Sequence, residues 1–214
     1  MKITHHPEPE SLMSCSAGSM PEAFAAVMST HFSQCAKCRN DLSFLESVGT
    51  ALFDSLSPAA VARDAPVLAM RASEADRGVV ALEQAAGDVP APLSAVVGSD
   101  FDAIDWKRVT PGVWQHVVPL SGQQRGDLRL MKIAPGQVIP EHAHSGSELT
   151  LILKGSYRDK TGHYQAGDVA DMCGASGHSP IADPVEGCIC LVATDGKMKF
   201  KGLIARFVQP FTGF

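Results

Sequence analysis

A group of histidine and cysteine side chains near the start of the chain has the spacing of a metal site. His31, Cys35 and Cys38 form the pattern H-x3-C-x2-C, and steps of four and three residues place side chains on one face of a helix. Two thiolates and one imidazole supply three ligands of a tetrahedral zinc site, and His5 or His6 on the N-terminal arm is the obvious fourth donor. A closed shell leaves no position for water, so the pattern predicts a structural zinc ion rather than a catalytic one.

Two other interpretations of this pattern stay open at the level of sequence. His31 and Cys35 also lie on an apolar stripe, which is compatible with simple burial in a core. Cys35 and Cys38 form a CxxC pair, but no βαβ pattern surrounds it, so a redox motif is the weaker alternative. The N-terminus lacks the apolar segment of a signal peptide, and we therefore expect a cytoplasmic protein with reduced cysteines.

A second group of potential ligands lies in the second half of the chain. His142 and His144 form an HxH pair, which on a strand points both imidazoles to the same face. Glu148 follows on the next predicted strand after a short turn, and His178 on a further strand is the candidate fourth ligand. Three imidazoles and one carboxylate can bind Zn, Fe, Mn, Ni or Cu, so the ligand types do not select the metal. The alternative is that these histidines make hydrogen bonds without a metal.

Helical periodicity is confined to the first part of the chain. Residues 20–34 and 38–56 carry apolar side chains at helical spacing, and the Ala-rich residues 67–86 predict a further helix. The sequence DVPAP at 88–92 predicts a short, stiff linker because it contains two prolines.

Beyond the linker, short β-prone runs separated by Gly, Pro and Asp favour an all-β sandwich or small barrel. These runs are residues 106–120, 127–134, 148–155, 163–172, 188–194 and 200–208. We therefore predict two domains, an all-α helical domain over residues 1–87 and an all-β domain over residues 93–214.

The charge pattern restricts the classes of partner. The net charge is −5, and residues 1–87 hold six basic against ten acidic side chains. Because there is no run of Lys and Arg, we expect no direct binding of nucleic acid. The acidic first segment suits a basic protein partner. The longest uncharged stretch, residues 109–124, is too short and too interrupted by Pro and Gly to span a bilayer, so we expect no membrane partner.

The N-terminal pattern resembles the zinc-binding anti-sigma domain. Members of that family clamp an extracytoplasmic-function sigma factor and keep it from core RNA polymerase. The family uses one upstream histidine followed by His-Cys-Cys. In this sequence the resemblance implies the zinc ligands His6, His31, Cys35 and Cys38.

The C-terminal pattern is similar to the two cupin motifs. Residues 136–155 reproduce the first motif in full, and the second opens with Gly167-Asp168 and includes His178. The sequence departs from the second motif at Cys173, where Pro is usual, and at Ala182, where Asn is common, and neither change removes a ligand. The resemblance implies a small double-stranded β-barrel for this domain.

The combination of both patterns resembles the ChrR-type zinc-binding anti-sigma factors over nearly the whole chain. The resemblance implies a small helical bundle with structural zinc that binds and inhibits its cognate sigma factor, as a 1:1 heterodimer. It also implies that the cupin domain is needed for release when singlet oxygen appears. Its cupin zinc ligands would be His142, His144, Glu148 and His178. Such a protein is not an enzyme. The alternatives are a cupin dioxygenase-type metalloenzyme with a helical regulatory domain, or a sensor that binds a small ligand in the barrel.

The remaining polar and sulfur side chains have simpler interpretations. Cys188 and Cys190 alternate with Ile189, so both face one side of a strand. We interpret them as small residues that fill the barrel interior, although a pair that is oxidised together is the alternative. His116 and His163 each lie alone on a predicted strand and are expected to be ordinary polar groups.

Overall fold

The computed structural model describes residues 2–59, 87–121, 126–173, 177–196 and 198–200. The helices are α1 (Pro9–Ser16), α2 (Glu22–Gln34), α3 (Ala36–Asp54) and α4 (Ser94–Val97). The strands are β1 (Lys107–Thr110), β2 (Val113–Val117), β3 (Asp127–Ile133), β4 (His142–His144), β5 (Ser147–Arg158), β6 (His163–Gln165), β7 (Val169–Cys173), β8 (Ile181–Ala182), β9 (Cys188–Thr194) and β10 (Met198–Phe200). The helix predicted over residues 67–86 lies outside the described residues, as does the predicted strand after Phe200.

The two helices predicted from periodicity are present as α2 and α3, and a helix that was not predicted precedes them. α2 follows Pro21, whose ring fixes the backbone for entry into a helix. α1 has only eight residues and buries only Leu12, so its apolar pattern is too short to be recognised. Cys35 separates α2 from α3 with an extended backbone (φ −110°, ψ 100°). The single continuous helical face predicted for residues 31–38 is therefore wrong, because the chain turns at Cys35.

The second half of the chain forms antiparallel β-structure, as predicted. The main sheet has the order β1-β2-β3-β9-β5. β5 is the longest strand and also pairs with β7 along its first half and with β6 and β8 near its end. β4 pairs with β10. The predicted runs 106–120 and 163–172 each contain two strands, because Gly112 and Gly167 adopt positive φ angles that allow tight turns.

Both faces of the sheet are apolar, and each contributes to a different core. On β3, β5 and β9 alternate residues point to opposite faces. One set lies in the barrel interior and includes Ile133, Ile152 and Cys190. The other set, which includes Leu130, Leu151 and Leu191, lies on the outer face, where it packs against Val27 and Met28 of α2. Strands buried on both sides explain why these runs are nearly continuous in apolar residues.

The helical and β segments are therefore in direct contact. α2 packs across β3, β5 and β9, and Val89 of the predicted linker is buried in the same core. The division into residues 1–87 and 93–214 stays a prediction. Among the residues that the structure describes, no helix has the length and apolar character needed to cross a bilayer.

Two candidate metal centres

The first candidate centre brings together three separate segments of the N-terminal region. His6 comes from the arm, His31 from the last turn of α2, and Cys35 and Cys38 from the start of α3; their ligand atoms all lie within 4.8 Å of one another. His6 Nδ1 is 3.3 Å from the sulfur of Cys38 and 3.5 Å from that of Cys35. The turn at Cys35 makes this possible, because it directs the start of α3 back towards the end of α2.

The surroundings of this cluster fit a bound cation. Burial lowers the pKa of His31 to about 4, which keeps its imidazole neutral at neutral pH, the form that binds metals. Its Nδ1–H donates to the carbonyl oxygen of Gly167 at 3.0 Å. Its buried Nε2 has no hydrogen-bond partner among the described residues. A buried, unprotonated ring nitrogen beside two thiols is the arrangement expected of a metal ligand.

The two thiols lie in different local environments. Cys35 is the N-cap of α3, and its sulfur accepts a hydrogen bond from the backbone N–H of Cys38 at 3.5 Å. Burial, together with the contact to Cys35, raises the pKa of Cys38 to about 12. A cation in the cluster would supply the positive charge that favours the thiolate form of Cys38.

The structure separates the two histidines between which the sequence did not decide. His5 points away from the cluster: its ring packs on Tyr164 with centroids 4.5 Å apart, and its Nδ1 lies 3.3 Å from Asp168 Oδ2. His6 points into the cluster. Neighbouring residues of an extended arm project to opposite sides, which explains the difference.

The second candidate centre lies inside the β-barrel and contains His142, Glu148 and His178. The ligand atoms of these three buried residues all lie within 4.8 Å of one another. His142 and His178 face each other across an isolated antiparallel bridge, with ring centroids 4.4 Å apart. Glu148 is on β5 and accepts a hydrogen bond from Thr150 Oγ1 at 2.9 Å. His144 lies on β4 opposite Met198, but its side chain is outside the described part of the chain.

Hydrogen bonds fix the orientation of both described imidazoles in this second cluster. His142 Nδ1 lies 2.8 Å from the carbonyl oxygen of Pro140, and His178 Nδ1 lies 2.9 Å from Asp159 Oδ2. Each ring thus presents Nε2 to a metal, which is the usual arrangement for ligating histidines. Sequence reasoning missed Asp159. It is nineteen residues from His178, and neither cupin motif, as matched to this sequence, includes it.

An apolar cavity of about 80 Å³ adjoins the second cluster. Besides the three potential ligands, its walls include Met131, Ile133, Tyr157 and Cys190. Cys188 and Cys190 belong to the barrel interior, as the sequence predicted. His116 and His163 make single hydrogen bonds to Asp105 and Ser156 and lie in neither cluster.

The chain is similar to known proteins in both sequence and structure. Residues 94–197 match a family model described as the ChrR Cupin-like domain. The anti-sigma-E factor ChrR of Cereibacter sphaeroides is 36% identical over 213 residues, which is 99% of this chain and 99% of that protein. A crystal structure of Rhodobacter sphaeroides SigE in complex with the anti-sigma ChrR superposes with a TM-score of 0.76 at 36% identity. That match covers 91% of this chain and 100% of the matched one.

Proposed function

The chain belongs to the ChrR family of anti-sigma factors, and we propose that it holds an extracytoplasmic-function sigma factor in an inactive 1:1 complex. Its 36% identity to a curated anti-sigma-E factor extends over essentially the whole of both chains. It is a regulator rather than an enzyme. The dioxygenase alternative is therefore disfavoured, although the barrel of this protein contains potential metal ligands. Because its partner acts on RNA polymerase, its place of action is the cytoplasm.

The observation that carries the proposed mode of binding is an apolar surface along α3 and the turn that follows it, which we name the α3 face. The α3 face consists of Phe44, Val48, Leu52, Phe53 and Leu56. All five side chains are exposed, and Leu52 and Phe53 keep 65% and 74% of their surface accessible. Five exposed, large apolar side chains along one short part of an acidic segment are typical of a protein interface. We propose that the sigma factor buries this face and thereby loses surface that polymerase would otherwise contact.

The N-terminal cluster gives this surface a defined shape. Two thiols and two imidazoles support zinc as its ion, with the ligands His6, His31, Cys35 and Cys38. Because Cys35 and Cys38 begin α3, an ion at this position fixes the start of the helix that presents the α3 face. When bound, the ion supplies structural cross-linking of three segments, and no open position for catalysis is required.

We propose that the barrel cluster is the part of the protein that responds to singlet oxygen. The donor set His142, His144, Glu148 and His178 also suits zinc, although these ligand types accept other divalent metals. Oxidation of a ligand or of a neighbouring side chain by singlet oxygen would alter the conformation of the barrel strands that pack against α2. A change that removes roughly 3 kcal/mol of binding free energy would weaken the complex about a hundredfold, which is enough for release.

The proposal is tested by transcription with purified components. Core RNA polymerase and the cognate sigma factor are assayed with and without an equimolar amount of this protein, in the dark and with an illuminated photosensitiser. We expect inhibition in the dark and recovery after illumination. A protein that leaves transcription unchanged in the dark would contradict the anti-sigma role. Inhibition that persists after illumination would contradict the sensing role alone.

A further inference from the structure

The turn between β6 and β7 holds the N-terminal arm against the barrel. Asp168 in this turn is only 1% exposed. Its Oδ1 accepts hydrogen bonds from the backbone N–H of Thr4 at 2.7 Å and of His5 at 2.9 Å. The backbone N–H of Val169 in turn donates to the carbonyl oxygen of His5 at 3.2 Å. A buried carboxylate is stable only with such partners, so Asp168 and the arm hold each other in place.

The same turn also orients a second residue of the N-terminal cluster. The carbonyl oxygen of Gly167 accepts the Nδ1–H of His31 at 3.0 Å, and His31 is fully buried. This bond determines which ring nitrogen is left for a metal. Gly167 therefore acts directly on His31, and Asp168 acts on His6 through the adjacent His5. Two consecutive residues of the barrel therefore position the two imidazoles of the cluster.

The turn is also tied to the strand that carries a potential ligand of the barrel cluster. The backbone N–H of Ile152 on β5 donates to the carbonyl oxygen of Asp168 at 3.0 Å, and Gly167 N–H donates to Ile152 at 2.8 Å. β7 continues from the turn and pairs Met172 with Glu148. One short antiparallel ladder therefore connects Glu148 to the contacts that position His31 and the arm.

We propose that the Gly167-Asp168 turn is a positioning element of the N-terminal metal centre, through which the barrel controls how tightly that centre holds its ion. The proposal rests on the proposed function, because it identifies the route by which a change in the barrel reaches the sigma-binding helices. Displacement of the turn removes the acceptor of His31 and releases the arm that carries His6. The N-terminal centre then keeps its two thiols but loses the alignment of both imidazoles.

The test uses the full chain loaded with cobalt(II) and the variant Asp168→Asn. Cobalt bound to thiolates absorbs strongly, and the N-terminal cluster is the one that contains two cysteines, so this absorption reports its occupancy. Competition with a chelator then gives the affinity. Loss of a residue that orients metal ligands typically weakens binding 10- to 100-fold, and we expect a change of about this size. Asp183→Asn is the matched control. Asp183 also accepts two backbone N–H groups, from Val185 and Glu186, in a different turn of the barrel.

A second variant keeps the test decisive if Asp168→Asn fails to fold. Thr4→Pro removes the N–H that donates to Asp168 and leaves every barrel residue unchanged; Lys2→Pro, at an exposed position on the same arm, is its control. We expect Thr4→Pro to weaken cobalt binding at the thiolate site and Lys2→Pro to leave it unchanged. Wild-type affinity in Thr4→Pro and in folded Asp168→Asn would overturn the positioning role. A wild-type protein that binds no sigma factor would overturn only the proposed function.

Discussion

The α3 face leads to the sharpest quantitative prediction. Complete burial of a Leu or Phe side chain contributes about 1.5–3 kcal/mol. Leu52 and Phe53 are 65% and 74% exposed, so burial of the accessible part by a partner contributes about 1–2 kcal/mol each. Replacement of both by Ala should therefore raise the Kd for the sigma factor by about 30- to 1000-fold, since 1.4 kcal/mol corresponds to a factor of ten.

The assay is titration calorimetry with the purified cognate sigma factor. Stability serves as the internal control, because substitution of exposed residues should change the free energy of unfolding by less than about 0.5 kcal/mol. Val185→Ala is the matched variant, since Val185 is 81% exposed but lies on a turn of the barrel, and it should leave the Kd unchanged. A double α3 variant that is stably folded and binds with wild-type affinity would refute the assignment of this face.

Three further predictions concern the barrel and its contact with the helices. His142→Ala should remove one ion per chain in elemental analysis and abolish the response to singlet oxygen; a normal response would count against the sensing role. Gly155→Ala should lower the free energy of unfolding by more than about 1 kcal/mol in denaturant titrations, because Gly155 has φ +70° and a Cβ there would collide with the carbonyl oxygen of Gly187. Met28→Ala should cost about 2–5 kcal/mol because Met28 is fully buried between α2 and the sheet. Met13→Ala, at a half-exposed position, should be nearly neutral in the same titration, and equal losses for both would contradict the packing described.

The parts of the site that the sequence predicted are those with short, regular spacing. The patterns around His31 and His142 pointed to both clusters because they place potential ligands close together along the chain. The single helical face expected for residues 31–38 was wrong, and these residues come together through the turn at Cys35 instead. Spacing did not decide between His5 and His6, and only the family resemblance pointed to His6. The choice depends on which side of the arm faces Asp168, and that contact spans more than 160 residues of chain.

Other features were missed because they depend on tertiary contacts. Asp159 orients His178 from a separate loop, and no spacing rule connects the two positions. The break at Cys35 was not predicted, since apolar periodicity continues through it from α2 to α3. The packing of α2 on the sheet was also not predictable from the sequence, because a linker with two prolines does not indicate whether the segments on either side are in contact.

Native mass spectrometry of the complex with the cognate sigma factor tests the central claim most directly. We predict one copy of each protein, with a metal ion retained in the N-terminal cluster. We also predict that Cys38→Ser, which removes one sulfur of that cluster, loses both this ion and the sigma factor. A Cys38→Ser chain that lacks the ion and still forms the complex in full yield would contradict the account.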